Sequence, residues 1–253
     1  MEITGIRSKE YICGLFYNNI QLEELMCKIN HIFHRKKKES IYFLNADCVN
    51  KSFNDEEYGS ILKRSSLVLG DGLGIKIATS MRGNKMLDNL NGTDLLPHLC
   101  EFSLINKKKI YLLGARPGVA DKMKGNLEST YPGIEIVGHC DGFFLEKSES
   151  QVIEEINEKG ADIVLVAMGV PLQEKWIAGN RASISSGLVL GVGGLFDFYS
   201  GSIPRAPRWV RTIGMEWGFR LLQEPDRLWR RYILGNPLFL LRAMKWAMRR
   251  RSL

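Results

Sequence analysis

The segment LVLGDGLGIK places Asp71 between Gly70 and Gly72, directly after a short apolar run that is typical of a buried strand. In α/β sheets, ligands bind beyond the carboxyl ends of the strands. A carboxylate with glycine on both sides leaves room for a substrate hydroxyl to approach and lose its proton. Asp71 is therefore predicted to be a general base, and capping of the helix that follows is the alternative.

Two other carboxylates are reserve candidates for the same role. They are Asp94 in NGTDLL and Asp197 in GLFDFYSG. Asp94 also fits the first turn of a helix capped by Thr93, because acidic residues are favoured at helix N-termini.

Glycines and amides follow the other predicted strands, in NADCVN, LLGARPGVADKM, VAMGVPLQEKWI and LGVGGLFDFYSG. Three of these junctions run from a strand through glycine into a helix, where backbone N–H groups favour phosphate. Glycine-rich turns are also ordinary features of α/β proteins, so each junction alone is a weak signal. The residues singled out at these positions are Asn45, Gly114, Gly118, Gly169, Gln173 and Gly193.

Several nucleotide and metal chemistries lack their signatures. The segment GDGLGIK matches only part of the dinucleotide fingerprint GxGxxG, and no acidic residue closes a fitting strand about 20 residues later. There is no GxxxxGK[ST] phosphate loop, no HExxH and no HxH, and the four histidines are dispersed. No protein-held metal is expected, so carboxylates, amides and arginines remain to carry the chemistry.

Apolar runs rich in Ile, Val and Leu alternate with amphipathic segments up to about residue 200. Strands without polar alternation, separated by helices, predict a Rossmann-like, doubly wound and mostly parallel sheet covered on both faces. The predicted strands are Ile41–Leu44, Leu67–Gly70, Ile110–Gly114, Ile134–Gly138, Ile163–Met168 and Leu188–Val192. The predicted helices are Leu22–Arg35, Glu56–Arg64, Asp94–Ile105, Val119–Tyr131, Glu149–Lys159 and Leu172–Arg181.

The C-terminal part of the chain differs in composition. Residues 204–253 hold 12 Lys and Arg against three acids, a net charge of +9, whereas residues 1–203 hold 23 against 25, a net charge of −2. Strand signals stop here, and three helical segments are predicted, with Pro225 and Pro237 in first turns and Asn236 as a cap. The expected organisation is an α/β domain over 1–203 with a helical appendage over 204–253.

The cysteines and the apolar runs bear on location. Five scattered cysteines without CxxC spacing fit a reducing cytoplasm rather than a disulfide framework. The N-terminus lacks an apolar signal-peptide core, and no run reaches the roughly 18 apolar residues of a spanning helix. We expect a protein that is neither exported through a signal peptide nor threaded through a bilayer.

The appendage combines arginine with apolar residues, which fits an anionic partner. Arginine binds phosphate bidentately, so a phosphate-bearing partner is favoured over the alternative of a solvated, salt-bridged face. The arginines are Arg220, Arg227, Arg230 and Arg231. No nucleic-acid-binding motif is present, and nucleic acid is not expected as a partner.

The last helix is predicted to lie in the headgroup layer of a membrane, because a cationic stripe borders a wide apolar arc. The alternative is packing of that arc on the α/β domain or on a second subunit. The residues predicted to meet the membrane are Phe239, Leu240, Arg242, Lys245, Trp246 and Arg249.

Taken together, the motifs resemble the WecG/TagA/CpsF glycosyltransferases over roughly residues 40–235. They are NADCVN, GDGLGI, NGTDLL, LLGARPGVA, MGVPLQEKWI, GVGGLFDFYSGSIPRAPRW and EWGFRLLQEPDRLWRRY. The resemblance implies transfer of a sugar from a UDP-sugar, typically UDP-N-acetylmannosamine, to a glycan on polyprenyl diphosphate at the inner face of a bacterial membrane. It also implies inversion at the anomeric carbon, no cofactor and no metal.

The resemblance also implies roles for individual residues. The family's base falls on Asp71, and its donor contacts fall on Asn45 and Gln173. The glycines of the strand–helix junctions, Gly114, Gly118, Gly169 and Gly193, are expected to bind the donor as well. The arginines of its C-terminal segment, expected at the acceptor diphosphate, fall on the four arginines named above. We expect them to complete the active site once the appendage is docked.

Two positions depart from the family pattern. Phe43 stands where Thr is frequent, and Asn89 stands where Arg is usual. Arg82, Lys85 or Arg116 are candidates to supply the missing charge, and UDP-glucuronic acid and UDP-glucose stay open as donors. A homo-oligomer is also left open. The competing functions are an NAD(P)-dependent oxidoreductase and a non-catalytic membrane adaptor.

Overall fold

A computed structural model describes residues 9–144 and 147–249. Within this part of the chain, eight strands form one mostly parallel sheet in the order β1-β2-β4-β3-β8-β7-β5-β6. The strands are β1 (Lys9–Ile12), β2 (Leu15–Asn18), β3 (Glu39–Leu44), β4 (Leu67–Gly70), β5 (Ile110–Gly114), β6 (Ile136–Cys140), β7 (Ile163–Ala167) and β8 (Leu188–Gly191). This confirms the predicted α/β class with a mostly parallel sheet.

Helices connect and flank these strands. They are α1 (Leu22–His34), α2 (Ala46–Ser52), α3 (Glu56–Arg64), α4 (Gly72–Ser80), α5 (Gly92–Asn106), α6 (Val119–Thr130), α7 (Glu149–Glu158), α8 (Leu172–Asn180) and α9 (Leu195–Tyr199). The C-terminal segment holds α10 (Arg208–Thr212), α11 (Glu216–Gln223), α12 (Pro225–Trp229), a π-helical turn (Arg230–Leu234) and α13 (Gly235–Arg249). The six predicted helices are found with small shifts at their ends, as are the six predicted strands.

The antiparallel hairpin of β1 and β2 was not predicted. Its turn is formed by Cys13 and Gly14, both with positive φ, at 51° and 83°. A two-residue hairpin turn with positive φ at both residues follows the right-handed twist of its strands, and glycine is favoured there because it adopts positive φ readily. The strands are only four residues long, which is why the alternation along the sequence gave no clear signal.

The chain divides into two compact units. Unit 1 comprises residues 1–25, 43–91 and 206–253, and unit 2 comprises 26–42 and 92–205. The C-terminal helices therefore belong to the same compact unit as Asp71. The predicted domain boundary at residue 203 stays a prediction.

In unit 1, α13 packs against α2 and α4. Phe239 is 1% exposed, and its ring lies so close to Gly74 that a Cβ there would come within 3.2 Å of it. Tyr17 and Thr79 share a buried hydrogen bond of 2.9 Å. Phe239 thus packs on the first half of α4, close to Asp71, and Tyr17 from β2 holds the last turn of the same helix.

In unit 2, the central strands β5, β7 and β8 are buried along their length. Neighbouring strands pair in parallel register, with Leu112 opposite Leu165 and Leu165 opposite Leu190. A sheet covered on both faces selects apolar residues at every position, which explains the absence of alternation in the sequence.

The helix predicted to begin at Pro237 begins earlier. Helical backbone runs without a break from Pro225 to Arg249, so the capping role predicted for Asn236 is wrong. Pro237 has no N–H and its ring crowds the carbonyl four residues before it. The π-turn just ahead of it widens the helix, and the N–H of Gly235 bonds to the carbonyl of Arg230, five residues back.

Candidate active site

Asp71 directly follows β4 and occupies the position before the first residue of α4. Its backbone is extended, and its carboxylate makes no capping hydrogen bond to the helix. The side-chain amide of Asn45 instead donates to Asp71 Oδ2 at 3.3 Å. Asp71 therefore occupies the N-cap position without the hydrogen bond that the capping alternative predicts. Its carboxylate accepts from Asn45, the residue after β3, instead.

Asn45 is fixed by a second contact. It caps α2, since its Oδ1 accepts from the backbone N–H of Cys48 at 3.1 Å. The Asp71 N–H donates to the carbonyl of Leu44 at 2.9 Å, which joins the ends of β3 and β4. The amide group of Asn45 therefore reaches Asp71 in a fixed orientation.

Burial raises the pKa of Asp71, because desolvation disfavours the charged carboxylate. The Asn45 hydrogen bond and the positive charges of Arg231 and Arg220 oppose this rise, and the charge of Glu216 adds to it. A base with a raised pKa holds a proton more strongly than an ordinary aspartate does, as general-base catalysis requires. Sequence reasoning did not find Glu216 in this group.

Arg231 reaches this region through an ion pair that was not predicted. Its Nε lies 3.5 Å from Asp47 Oδ2, and Asp47 also pairs with Lys51 at 3.1 Å. Asp47 lies two residues after Asn45, in the first turn of α2, within the segment NADCVN. The structure therefore brings Asn45, Asp71 and Arg231 together in unit 1, with Arg220 close enough to act on the charge of Asp71.

The four arginines do not share one surface. Arg220 pairs with Glu224 at 3.9 Å, at the i, i+4 spacing of a helix. Arg227 pairs with Glu224 as well and is exposed, and Arg230 is exposed with its guanidinium over the Trp229 ring at 5.3 Å. Arg231 is the one of the four that pairs with Asp47.

Asn89 has a local structural role. Its Oδ1 accepts from the backbone N–H of Gly72 at 2.6 Å, at the first turn of α4. It thus supplies the capping contact that Asp71 does not make. An arginine at this position would offer no acceptor for that N–H. Arg82, one of the candidates to replace the missing charge, instead stacks over the Trp246 ring at 4.6 Å.

In unit 2, Gln173 is 2% exposed and both ends of its amide are used. Its Oε1 accepts from the N–H of Gly193 at 2.8 Å, and its Nε2 donates to Glu174 Oε1 at 2.8 Å. Gly191 also packs against the Gln173 side chain. This geometry makes Gln173 a support for the glycine loop after β8, and the predicted direct donor contact would require it to leave these partners.

Different features of the backbone explain why glycine stands at the positions predicted to contact the donor. A Cβ at Gly114 would come within 2.6 Å of the Ala167 backbone, so this glycine serves the packing of β5 on β7. Gly118 and Gly169 have positive φ, at 79° and 80°, and face open space. Gly193 also has positive φ, at 57°. Donor binding by these residues stays a prediction.

The reserve carboxylates lie in unit 2. Asp94 is in the first turn of α5, as predicted, and its Oδ1 accepts from Arg205 Nη2 at 2.7 Å. The helix begins at Gly92, two residues too early for Thr93 to cap it. Asp197 lies in the first turn of the short α9. Asp94 therefore has a structural partner in Arg205, which belongs to the segment SIPRAPRW.

The helix predicted to lie on a membrane turns part of its predicted face inward. Phe239 is buried, and Arg242 hydrogen-bonds to Asn50, so their assignment to the membrane is wrong. Leu240 and Trp246 are half-buried, whereas Lys245 and Arg249 are exposed. The apolar face left exposed is formed instead by Leu234, Leu238, Leu241 and Met244. The sequence pattern defines the apolar arc of this helix but does not show which part of it α2 and α4 cover.

Two absences concern residues 9–144 and 147–249, the part of the chain that the structure describes. None of the helices there is long and apolar enough to cross a membrane. No three His, Cys, Asp or Glu side chains in these ranges are grouped so that they could hold a metal ion.

The profile of the glycosyl transferase WecG/TagA/CpsF family matches residues 10–253. The chain belongs to this family. It is therefore a glycosyltransferase, and its Asp71, Asn45 and C-terminal arginines lie in the segments that carried the resemblance.

Several relatives in this family are named for one transferase activity. The N-acetylglucosaminyldiphosphoundecaprenol N-acetyl-beta-D-mannosaminyltransferase of Bacillus subtilis (strain 168) is 31% identical over 215 residues, which cover 85% of this chain and 82% of the relative. The enzyme of the same name from Bacillus spizizenii is 29% identical over 88% of this chain and 86% of its own length. The Staphylococcus aureus (strain MW2) enzyme is 25% identical over 94% and 93%.

Proposed function

We propose that this glycosyltransferase moves a sugar, of the N-acetylmannosamine type, from a UDP-sugar to a glycan carried on polyprenyl diphosphate. The observation that carries the proposal is the cluster around Asp71 in unit 1. A half-buried carboxylate with a raised pKa, oriented by Asn45, lies within the electrostatic reach of two guanidinium groups. The relatives' names supply the class of acceptor.

In the proposed reaction, Asp71 removes the proton of the acceptor hydroxyl as that oxygen attacks the anomeric carbon of the donor. Attack from the face opposite UDP inverts the configuration at that carbon. The UDP leaves with the bonding electron pair, and the proton resides on Asp71 until solvent takes it. Asn45 holds the carboxylate oxygen that does not receive the proton.

The guanidinium groups supply positive charge where phosphate charge has to be met. Arg231 and Arg220 are the two that act on Asp71, so we assign them to the acceptor diphosphate. Arg227 and Arg230 are exposed and fit a more peripheral contact with phosphate or lipid headgroups. Metal independence is part of the proposal and predicts full activity in the presence of EDTA.

We also propose that the enzyme is a peripheral protein of the cytoplasmic membrane face, because its acceptor lies in the bilayer. Apolar side chains of the C-terminal segment support this, with Leu238 44% and Leu241 52% exposed beside Lys245 and Arg249. Exposed apolar residues bordered by cations are typical of helices that lie in the headgroup layer.

The test is a transfer assay with purified protein, a synthetic polyprenyl-diphosphate N-acetylglucosamine acceptor and a panel of UDP-sugars, each with and without EDTA. We expect one UDP-sugar to give a product heavier by one sugar residue, with UDP-N-acetylmannosamine first among them. A product formed with UDP-glucose or UDP-glucuronic acid alone would correct the donor. No product with any donor and acceptor would overturn the proposal.

A further inference from the structure

The helix α2 sends polar side chains to three different partners within unit 1. Asn45, at its N-terminal cap, hydrogen-bonds to Asp71. Asp47, in its first turn, pairs with Arg231. Asn50, one turn further on, contacts the C-terminal helix, which lies 185 to 192 residues later in the chain. One short helix thus touches the base, the arginine beside it and the segment that delivers that arginine.

Asn50 uses its whole amide group in this contact. Its Nδ2 donates to the carbonyl of Gly235 at 2.7 Å, and its Oδ1 accepts from Arg242 Nη1 at 2.8 Å. The same Arg242 nitrogen lies 3.2 Å from the backbone carbonyl of Asn50, and the guanidinium covers the Phe53 ring at 4.2 Å. Hydrogen bonds that involve a charged group and a half-buried partner are among the stronger ones in proteins.

The position of Gly235 gives this contact its significance. Gly235 is the residue at which the π-turn passes into α13, and its own N–H closes the five-residue hydrogen bond to Arg230. Asn50 therefore holds the backbone at the point where the helix changes pitch. Each residue of an α-helix turns the next by about 100°, so the loss of one extra residue from the turn would rotate Arg231 away from Asp47.

We propose that Asn50 and Arg242 form a latch that keeps the π-turn in place and thereby positions Arg231 against Asp47 and beside Asp71. Both are positioning residues, since neither touches Asp71 itself. The inference rests on the proposed function insofar as the latch serves the base. It replaces the membrane role predicted for Arg242 with a role inside unit 1.

The charges around Asp71 determine what the latch should change. Arg231 and Arg220 lower the pKa of Asp71, and Glu216 raises it, while Asp47 and Lys51 lie around the Arg231 guanidinium. Releasing Arg231 removes one positive charge from this group. The acid limb of the profile of kcat/KM against pH, where Asp71 takes up its proton, then moves to higher pH.

The experiment compares Asn50→Leu, Arg242→Met and the double variant with the wild-type full chain. We expect each single variant to lower kcat/KM at pH 7 about tenfold, and the acid limb to move to higher pH in the direction that Arg231→Met also gives. Because both substitutions break the same latch, kcat/KM of the double variant should be no lower than that of the less active single variant. Arg242→Lys, which keeps one charged donor, should recover part of the loss.

A second measurement does not depend on catalysis. Amide hydrogen exchange over residues 230–234 should be faster in Asn50→Leu and Arg242→Met than in the wild type, and unchanged over α6 in unit 2. The matched control is Asn106→Ala, an exposed asparagine whose amide bonds at 2.9 Å to a carbonyl of its own helix. It should change neither the exchange of the π-turn nor the pH profile.

The inference and the proposed function fail in different ways. Absence of transfer by the wild type would overturn the proposed function, and hydrogen exchange would still report on the latch. Unchanged exchange in the π-turn, an unmoved acid limb, or losses that simply add in the double variant would each overturn the latch. If Asn50→Leu does not fold, Arg242→Met and Arg242→Lys carry the same comparison.

Discussion

At the scale of single residues, the account depends on Asp71. Replacing it by Asn keeps the shape and the partner Asn45 but removes the base. We expect kcat of Asp71→Asn to fall by much more than tenfold, which is more than about 1.4 kcal/mol of barrier, in the transfer assay. Asp121→Asn is the matched control, because Asp121 is an exposed carboxylate of unit 2 that pairs with His139. A loss smaller than tenfold in Asp71→Asn would remove Asp71 as the base.

The raised pKa of Asp71 also predicts how stability depends on pH. A carboxyl whose pKa is higher in the folded chain than in the unfolded chain binds more protons when folded. Its contribution favours the folded state at low pH and is lost as pH rises through the folded pKa. Asp71→Asn should therefore raise Tm at pH 7 while abolishing transfer, and the gain should shrink near pH 4. A lower Tm for the variant at pH 7 would contradict the raised pKa of Asp71.

Sequence reasoning reached Asp71 and Asn45 because local features mark them. Glycines flank Asp71 at a strand end, and both residues stand in motifs with fixed spacing. It did not reach Asp47 as the partner of Arg231, nor Asn50 as the partner of Arg242. Those contacts join residues more than 180 positions apart, and no local pattern encodes such a distance.

At the scale of elements, the strands and helices of the sheet were predictable because burial on both faces selects continuous apolar runs. The C-terminal helix was predicted to lay its apolar arc on a membrane, with packing on the α/β domain as the alternative, and part of that arc packs on α2 and α4. Its apolar arc is wider than the strip that α2 and α4 cover, so periodicity alone could not choose the buried part. Phe239 lies under that cover, and Leu241 lies outside it.

This difference gives a prediction for stability. Phe239→Ala should lower the free energy of unfolding by about 3–5 kcal/mol, because it leaves a cavity against α4. Leu241→Ala should change it by no more than about 0.5 kcal/mol, because the side chain is exposed. Urea unfolding followed by fluorescence measures both. Equal losses in the two variants would mean that α13 does not dock on α2 and α4 through Phe239.

At the scale of the whole molecule, the enzyme has to meet a substrate anchored in a bilayer. We expect it to bind vesicles containing anionic lipid, and Leu238→Ser with Leu241→Ser to weaken that binding at least about tenfold, since burial of each leucine is worth about 1.5–3 kcal/mol. Sedimentation with vesicles measures the binding.

The control for vesicle binding is Ile105→Ser. Ile105 is 80% exposed on α5, outside the C-terminal segment. It should bind vesicles as the wild type does. Equal weakening in the control and in the leucine variant, or no weakening in either, would mean that the exposed face of α13 does not carry the membrane contact.

The most direct test of the central claim is whether UDP release depends on the lipid-linked acceptor. Purified enzyme is given UDP-N-acetylmannosamine with and without polyprenyl-diphosphate N-acetylglucosamine, and UDP and the lipid product are quantified together. We predict that UDP and elongated lipid appear in equal amounts, only with the acceptor present, and that Asp71→Asn forms neither. UDP release at the same rate without the acceptor, or elongated lipid formed by Asp71→Asn at the wild-type rate, would contradict the account.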